Sequence, residues 1–130
     1  MRIKHYNLKI KPVAWKRAGR NGNVYYDAQK ADKDIHAFLL KQIQGNHQIF
    51  ANKPLLLRVT FWIEIPKSKR STIKEGDYHY IRPDNSNFVK FIEDAMNKIT
   101  IEDDCLFAGL ISFKRWAKTP SLDITIEELD

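Results

Sequence analysis

One cysteine, Cys105, stands in a chain of 130 residues. A lone thiol excludes an intramolecular disulfide and fits a reducing, cytoplasmic setting. Long apolar runs are missing too. No stretch approaches the ~18 residues of a membrane span. The first ten residues, Met1 to Ile10, alternate with charges and lack the apolar core of a signal peptide. There is no repeat, low-complexity tract or linker, so residues 1–130 read as one domain. His5, His36 and His47 have no metal-ligand spacing to Cys105, which argues against zinc. Acids are absent before Asp27, although seven bases precede it: Arg2, Lys4, Lys9, Lys11, Lys16, Arg17 and Arg20.

What is present is a 43% hydrophobic composition, enough for a modest core, and a net charge of +6. The charge is clustered. Besides the N-terminal run, Lys67, Lys69, Arg70 and Lys74 share one polar stretch, and Lys114, Arg115 and Lys118 flank Trp116. Such clusters favour nucleic acid or another anionic surface, while a solvated basic face is the blander reading. Trp15 and Trp116, set among bases, suit either stacking on DNA bases or packing under lysine stems.

Periodicity gives the element order. Residues 2–10 alternate as a strand, and Val24-Tyr25-Tyr26 is a short one. Asp27 is placed to cap a helix over 28–44 with an apolar stripe of Ala31, Ile35, Phe38/Leu39 and Gln42/Ile43. Leu55 to Ile65 is β-branched and aromatic, includes Trp62, and reads as a central buried strand. Residues 66–82 form a long polar loop of the kind that is often functional. A second helix over 86–98 buries Phe88, Phe91/Ile92, Ala95/Met96 and Ile99. Leu106–Trp116 and Ser121–Leu129 read as antiparallel strands around Pro120. The expected fold is α+β: a mixed sheet of about four or five strands with two helices packed on it. Cys105 is expected to be small and buried.

The chemistry concentrates around the second helix. Arg82-Pro83-Asp84-Asn85-Ser86-Asn87-Phe88-Val89-Lys90 is followed, after that helix, by Glu102-Asp103-Asp104. Helical spacing puts Asn87 and Lys90 on the side reached from Asp84, with Asp94 four residues beyond Lys90. Asp103 and Asp104 point to opposite sides of an emerging strand, so at most one faces Asp84. Magnesium takes one or two carboxylates with water and phosphate, and a nearby lysine offsets phosphate charge. On residues alone the bland alternative stands beside this: Asp84 as a helix cap, the acids as a polar turn, Lys90 and Asp94 as a surface pair.

These segments resemble the RusA family of Holliday junction resolvases. Pro12-Val13-Ala14-Trp15-Lys16-Arg17-Ala18-Gly19-Arg20 is similar to its proline- and arginine-rich segment. His79 to Asp84 resembles the approach to its P-D-x-D-N-x-x-K signature, and Glu102-Asp103-Asp104 its closing acids. The resemblance implies a homodimeric, Mg²⁺-dependent endonuclease, with Mn²⁺ as a substitute, acting on branched DNA and four-way junctions. It implies Asp84 and Asp104, or its neighbour Asp103, as metal ligands, and Lys90 as the lysine needed for cleavage. Lys16, Arg17, Arg20, Lys67, Lys69, Arg70, His79 and Asn87 are expected to bind substrate. Ser86 stands where the family has its second aspartate. A neutral hydroxyl weakens a hard-cation site, so the rival reading is a module that binds branched DNA without cutting it. A basic domain unrelated to nucleases is the third.

Overall fold

Apolar residues on both faces of Leu55–Glu64 (β4), with Leu56 and Trp62 opposite the buried set, suit a place inside the sheet. Leu55, Leu57, Val59 and Phe61 are buried on one face. The computed structural model describes residues 1–17 and 29–130, and the backbone alone of 19–21 and 24–26. Within it, β1 (Ile3–Leu8), β4, β5 (Phe107–Ala117) and β6 (Ser121–Glu128) form one mixed sheet in the order β1-β6-β4-β5. β2 (Gly19–Asn21) and β3 (Val24–Tyr26) form a separate two-stranded ladder. Two helices, α1 (Lys30–Gln44) and α2 (Asn85–Met96), complete an α+β arrangement.

β4 pairs in parallel with β5 and antiparallel with β6. β5 and β6 therefore run antiparallel, as expected, but β4 lies between them. The link between them, residues 118–120, has to step over one strand. Next-but-one strands lie about 10 Å apart, within reach of three extended residues. The parallel β4–β5 pair is joined by the loop of residues 65–84 and by α2, which buries Phe88, Val89, Phe91, Ile92, Ala95 and Met96. Of these, Phe88, Val89, Ile92, Ala95 and Met96 pack with Leu57, Val59, Phe61, Leu122, Ile124 and Ile126 into the core, while Phe91 meets His36 edge-on at 5.0 Å.

Three expectations are corrected. α1 buries His36, Leu40 and Gln44, while Ile35 and Phe38 of the expected stripe are exposed. Hydrogen bonds make this rotation possible. His36 Nδ1–H donates to the Asp32 carbonyl at 2.7 Å, and Gln44 accepts from the Tyr6 hydroxyl and donates to the His47 carbonyl. The expected cap Asp27 lies outside the described residues. Trp62 is half-buried on the face opposite the β4 core residues, with its indole N–H donating to Asp123 at 2.9 Å. Cys105 is exposed, because a short 3₁₀ turn (Asp104–Leu106) precedes β5. Among the described residues no helix is long and apolar enough to cross a membrane.

Candidate active site

α2 begins at Asp84, whose backbone carbonyl accepts from Asn87 N at 3.1 Å. The Asp84 side chain is exposed and makes no capping hydrogen bond. The capping explanation for this aspartate therefore does not use its carboxylate. Beside it, Lys114 of β5 donates to the carbonyls of Ile81 and Pro83, each at 2.7 Å. Burial lowers the Lys114 pKa, and the Asp84 charge works against that shift. Asn85 ties the same helix end to β5 by donating to the Ser112 carbonyl at 3.1 Å.

Lys90 does not pair with Asp94. Its ammonium lies 3.5 Å from the Trp15 ring centroid, a cation–π contact. Trp15 N donates to the Asn87 carbonyl at 2.9 Å, which fixes the N-terminal segment on α2. Buried Gln29 clamps that segment further, donating to the Ala14 carbonyl and accepting from Lys16 N. Ser86 is exposed in the first turn of α2, four residues before Lys90 and so on the same helix face.

The second acidic group gathers at the other end of α2. Asp103 accepts from Cys105 N at 2.9 Å, which holds its carboxyl below its ordinary value. The Asp104 pKa is raised, first by burial and then by Asp103 and Asp94. Glu93 is pushed up to about 7 by burial, Asp104 and Asp94. Glu93 and Asp94 thus join Asp104. Sequence spacing pointed instead to a Lys90–Asp94 pair and gave Glu93 no role of its own. From Asp84 to Glu93 the helix rises about 14 Å. Asp84 and Asp104 therefore mark different ends of α2, and among the described residues no three His, Cys, Asp or Glu side chains gather as a metal group.

The Glu93 shift has a consequence for stability. Its folded pKa lies above its ordinary 4.5, so the fold favours the protonated form. Stability from this group is full below that value and is lost as pH rises to about 7. With metal chelated, Glu93→Gln should match the parent at pH 4 and exceed it at pH 8 by about 1–2 kcal/mol after solvent screening. Urea titrations at the two pH values measure this. An equal difference at both would show that the carboxyl is not perturbed.

The loop of residues 65–84 is anchored along the β5 edge. Tyr78 bridges Arg115, His79 N donates to the Lys114 carbonyl at 2.9 Å, and Arg115 stacks on the Tyr78 ring. Beside Pro83 lies a cavity of about 790 Å³ whose lining includes Lys11, Lys16, Arg82, His36 and His79. A second, of about 700 Å³, includes Lys69, Tyr78 and Tyr80, and the two share Pro66, Ile81 and Trp116. Together they form a groove of mixed charge that reaches the residue before Asp84: Lys11, Lys16, Lys69 and Arg82 line it with Asp32, Glu64 and Asp77. Trp116 is buried against His79 at 4.4 Å. Arg17, Lys67 and Arg70 are exposed, and Arg70 lies 3.7 Å from Glu64. The Arg20 side chain lies outside the described residues.

The family model for endodeoxyribonuclease RusA matches residues 8–127. The chain belongs to the RusA family. A search of the curated proteins found no match. RusA enzymes are endonucleases that act on branched DNA junctions and generally depend on a divalent metal. The match covers both acidic groups, Lys90 and the groove.

Proposed function

We propose that this RusA-family chain resolves four-way DNA junctions as a homodimer, hydrolysing phosphodiesters with a divalent ion, Mg²⁺ or in its place Mn²⁺. The observation that carries the reading is the exposed Asp84 carboxylate, free of any capping bond, beside a groove that offers Lys11, Lys16, Lys69 and Arg82 among the acids Asp32, Glu64 and Asp77. The donor chemistry fits a hard cation. Asp84 offers oxygens that no hydrogen bond of the helix end consumes, and Asp104 is crowded by carboxylates whose repulsion a cation relieves. Because the two lie at different ends of α2, we assign the site to two chains, Asp84 from one and Asp104 from its partner. Asp103 is held by its own turn and serves as a neighbouring charge. When bound, the ion would lower the pKa of water and neutralise developing charge.

The chain's own residues do the rest. Lys90, positioned over Trp15, supplies a positive charge on the face that Ser86 shares. Lys114 holds the turn of residues 81–83 and so sets the direction of Asp84. Lys11, Lys16, Lys69 and Arg82 along the groove hold phosphates. A homodimer also accounts for the part of β5 that the loop of residues 65–84 leaves uncovered, where Leu110, Ile111 and Phe113 are exposed. Bare apolar edges of this kind are normally covered.

Replacing Lys11 and Lys16 with serine should weaken junction binding and reduce the slope of log affinity against log salt by about 1–2. Titrations at several salt concentrations check this, and an unchanged slope would remove both residues from the phosphate path. The second reading, binding without cutting, is favoured by Ser86 itself, because one carboxylate of the family pattern is missing. Cleavage assays of the protein and of its Ser86→Asp variant separate the two.

A further inference from the structure

The cavity of about 790 Å³ beside Pro83 falls within the roughly 300–1,000 Å³ of small-ligand pockets. Its chemistry is divided. The wall carries Ile63, Phe88 and Trp116, while Lys11, Lys16 and Arg82 supply three cations against the two acids Asp32 and Glu64. Two imidazoles also line it, His36 at 1% exposure and His79 at 5%. Each has a buried ring nitrogen without a hydrogen bond, Nε2 of His36 and Nδ1 of His79. The Lys11 backbone lies close enough to the His36 ring to favour its charged form against burial. Burial lowers the pKa of both rings, so they suit a neutral polar edge better than a phosphate. Unpaired buried polar atoms are costly, and a ligand that pairs with them recovers that cost.

A nucleobase combines an apolar face, a polar edge and an attached phosphate. We propose that this cavity takes one unstacked nucleobase of the bound junction, with its edge at His36 and His79, its face against the apolar wall, and its phosphate at Lys11, Lys16 and Arg82. The proposal rests on the junction-binding reading above and adds a base-reading pocket next to the site of cleavage. Branch points hold the base pairs that are easiest to unstack, and extruding such a base needs least energy there.

The test is a scan of single abasic sites at each position flanking the branch, read as junction affinity in chelator with the full chain. One position in each cleaved strand should lose about tenfold in affinity when its base is removed. His79→Leu should weaken the intact junction severalfold and leave the junction abasic at that position unchanged. Ile63→Trp fills the cavity from its half-buried wall and should behave likewise, should His79→Leu fail to fold. Losses that multiply independently, or a scan with no sensitive position, would overturn the pocket. Equal affinity for junction and linear duplex would instead overturn the junction reading. The same scan on a single-stranded oligonucleotide then judges the pocket by the same coupling.

Discussion

Ser86→Asp should raise Mg²⁺-dependent cleavage of a four-way junction about 10–100-fold, the scale on which changes around metal ligands act. Asp84→Asn should abolish whatever cleavage the parent shows. Both substitutions are mild for the fold. Ser86 is exposed, and α2 has no acid in its first turn, so an aspartate there gains about 0.3–1 kcal/mol from the helix dipole. Asparagine caps helices as well as aspartate does, and Asp84 makes no side-chain cap, so Asp84→Asn should shift stability by less than about 0.5 kcal/mol. Activity changes without matching stability changes would isolate the charge at these positions. Parent binding should remain intact, because the missing carboxylate would only have repelled phosphate. Mn²⁺ should partly rescue the parent. Robust Mg²⁺-dependent cleavage that Ser86→Asp leaves unchanged would sink this account and point to another carboxylate, with Glu102 and Asp77 first to test.

Patterns that depend on apolar burial were legible. β4 reads as central because both its faces carry apolar residues, and α2 because Phe88, Phe91, Ile92, Ala95 and Met96 follow one helical stripe. α1 misled because the fold buries polar His36 and Gln44, whose hydrogen bonds no hydropathy pattern records. The insertion of β4 between β5 and β6 was hidden for a different reason. A short link with a proline looks the same whether it joins neighbours or steps over a strand. At the site, Asp84 and Asp104 stood out by type and spacing, but their distance did not. That distance depends on α2 running antiparallel to β5, a property of the parallel crossover rather than of either motif. Lys114 and Trp15 were noticed only as members of basic clusters, although the structure gives one to the Asp84 turn and the other to Lys90.

Complementation tests the two-chain site most directly. Asp84→Asn alone and Asp104→Asn alone should each be inactive. Mixed in equal amounts and allowed to exchange subunits, the two should recover activity. In a mixed dimer, one site receives the intact Asp84 of one chain and the intact Asp104 of the other, and the second site receives neither. Random exchange makes about half the dimers mixed, each with one good site, so about a quarter of all sites should work. Nicking of one strand should recover accordingly, while paired cuts across the junction, which need two good sites in one dimer, should not. If each chain instead built its own site, every site in the mixture would lack one carboxylate and the mixture would stay dead. The separation along α2 favours the first outcome, because about 14 Å of helix lies between Asp84 and Glu93, beside which Asp104 sits. An ion with oxygen ligands at about 2.0–2.6 Å does not bridge that distance within one chain. A silent mixture, with subunit exchange confirmed by a labelled partner, would place both carboxylates in one chain and require α2 and the Asp104 turn to rearrange on the DNA.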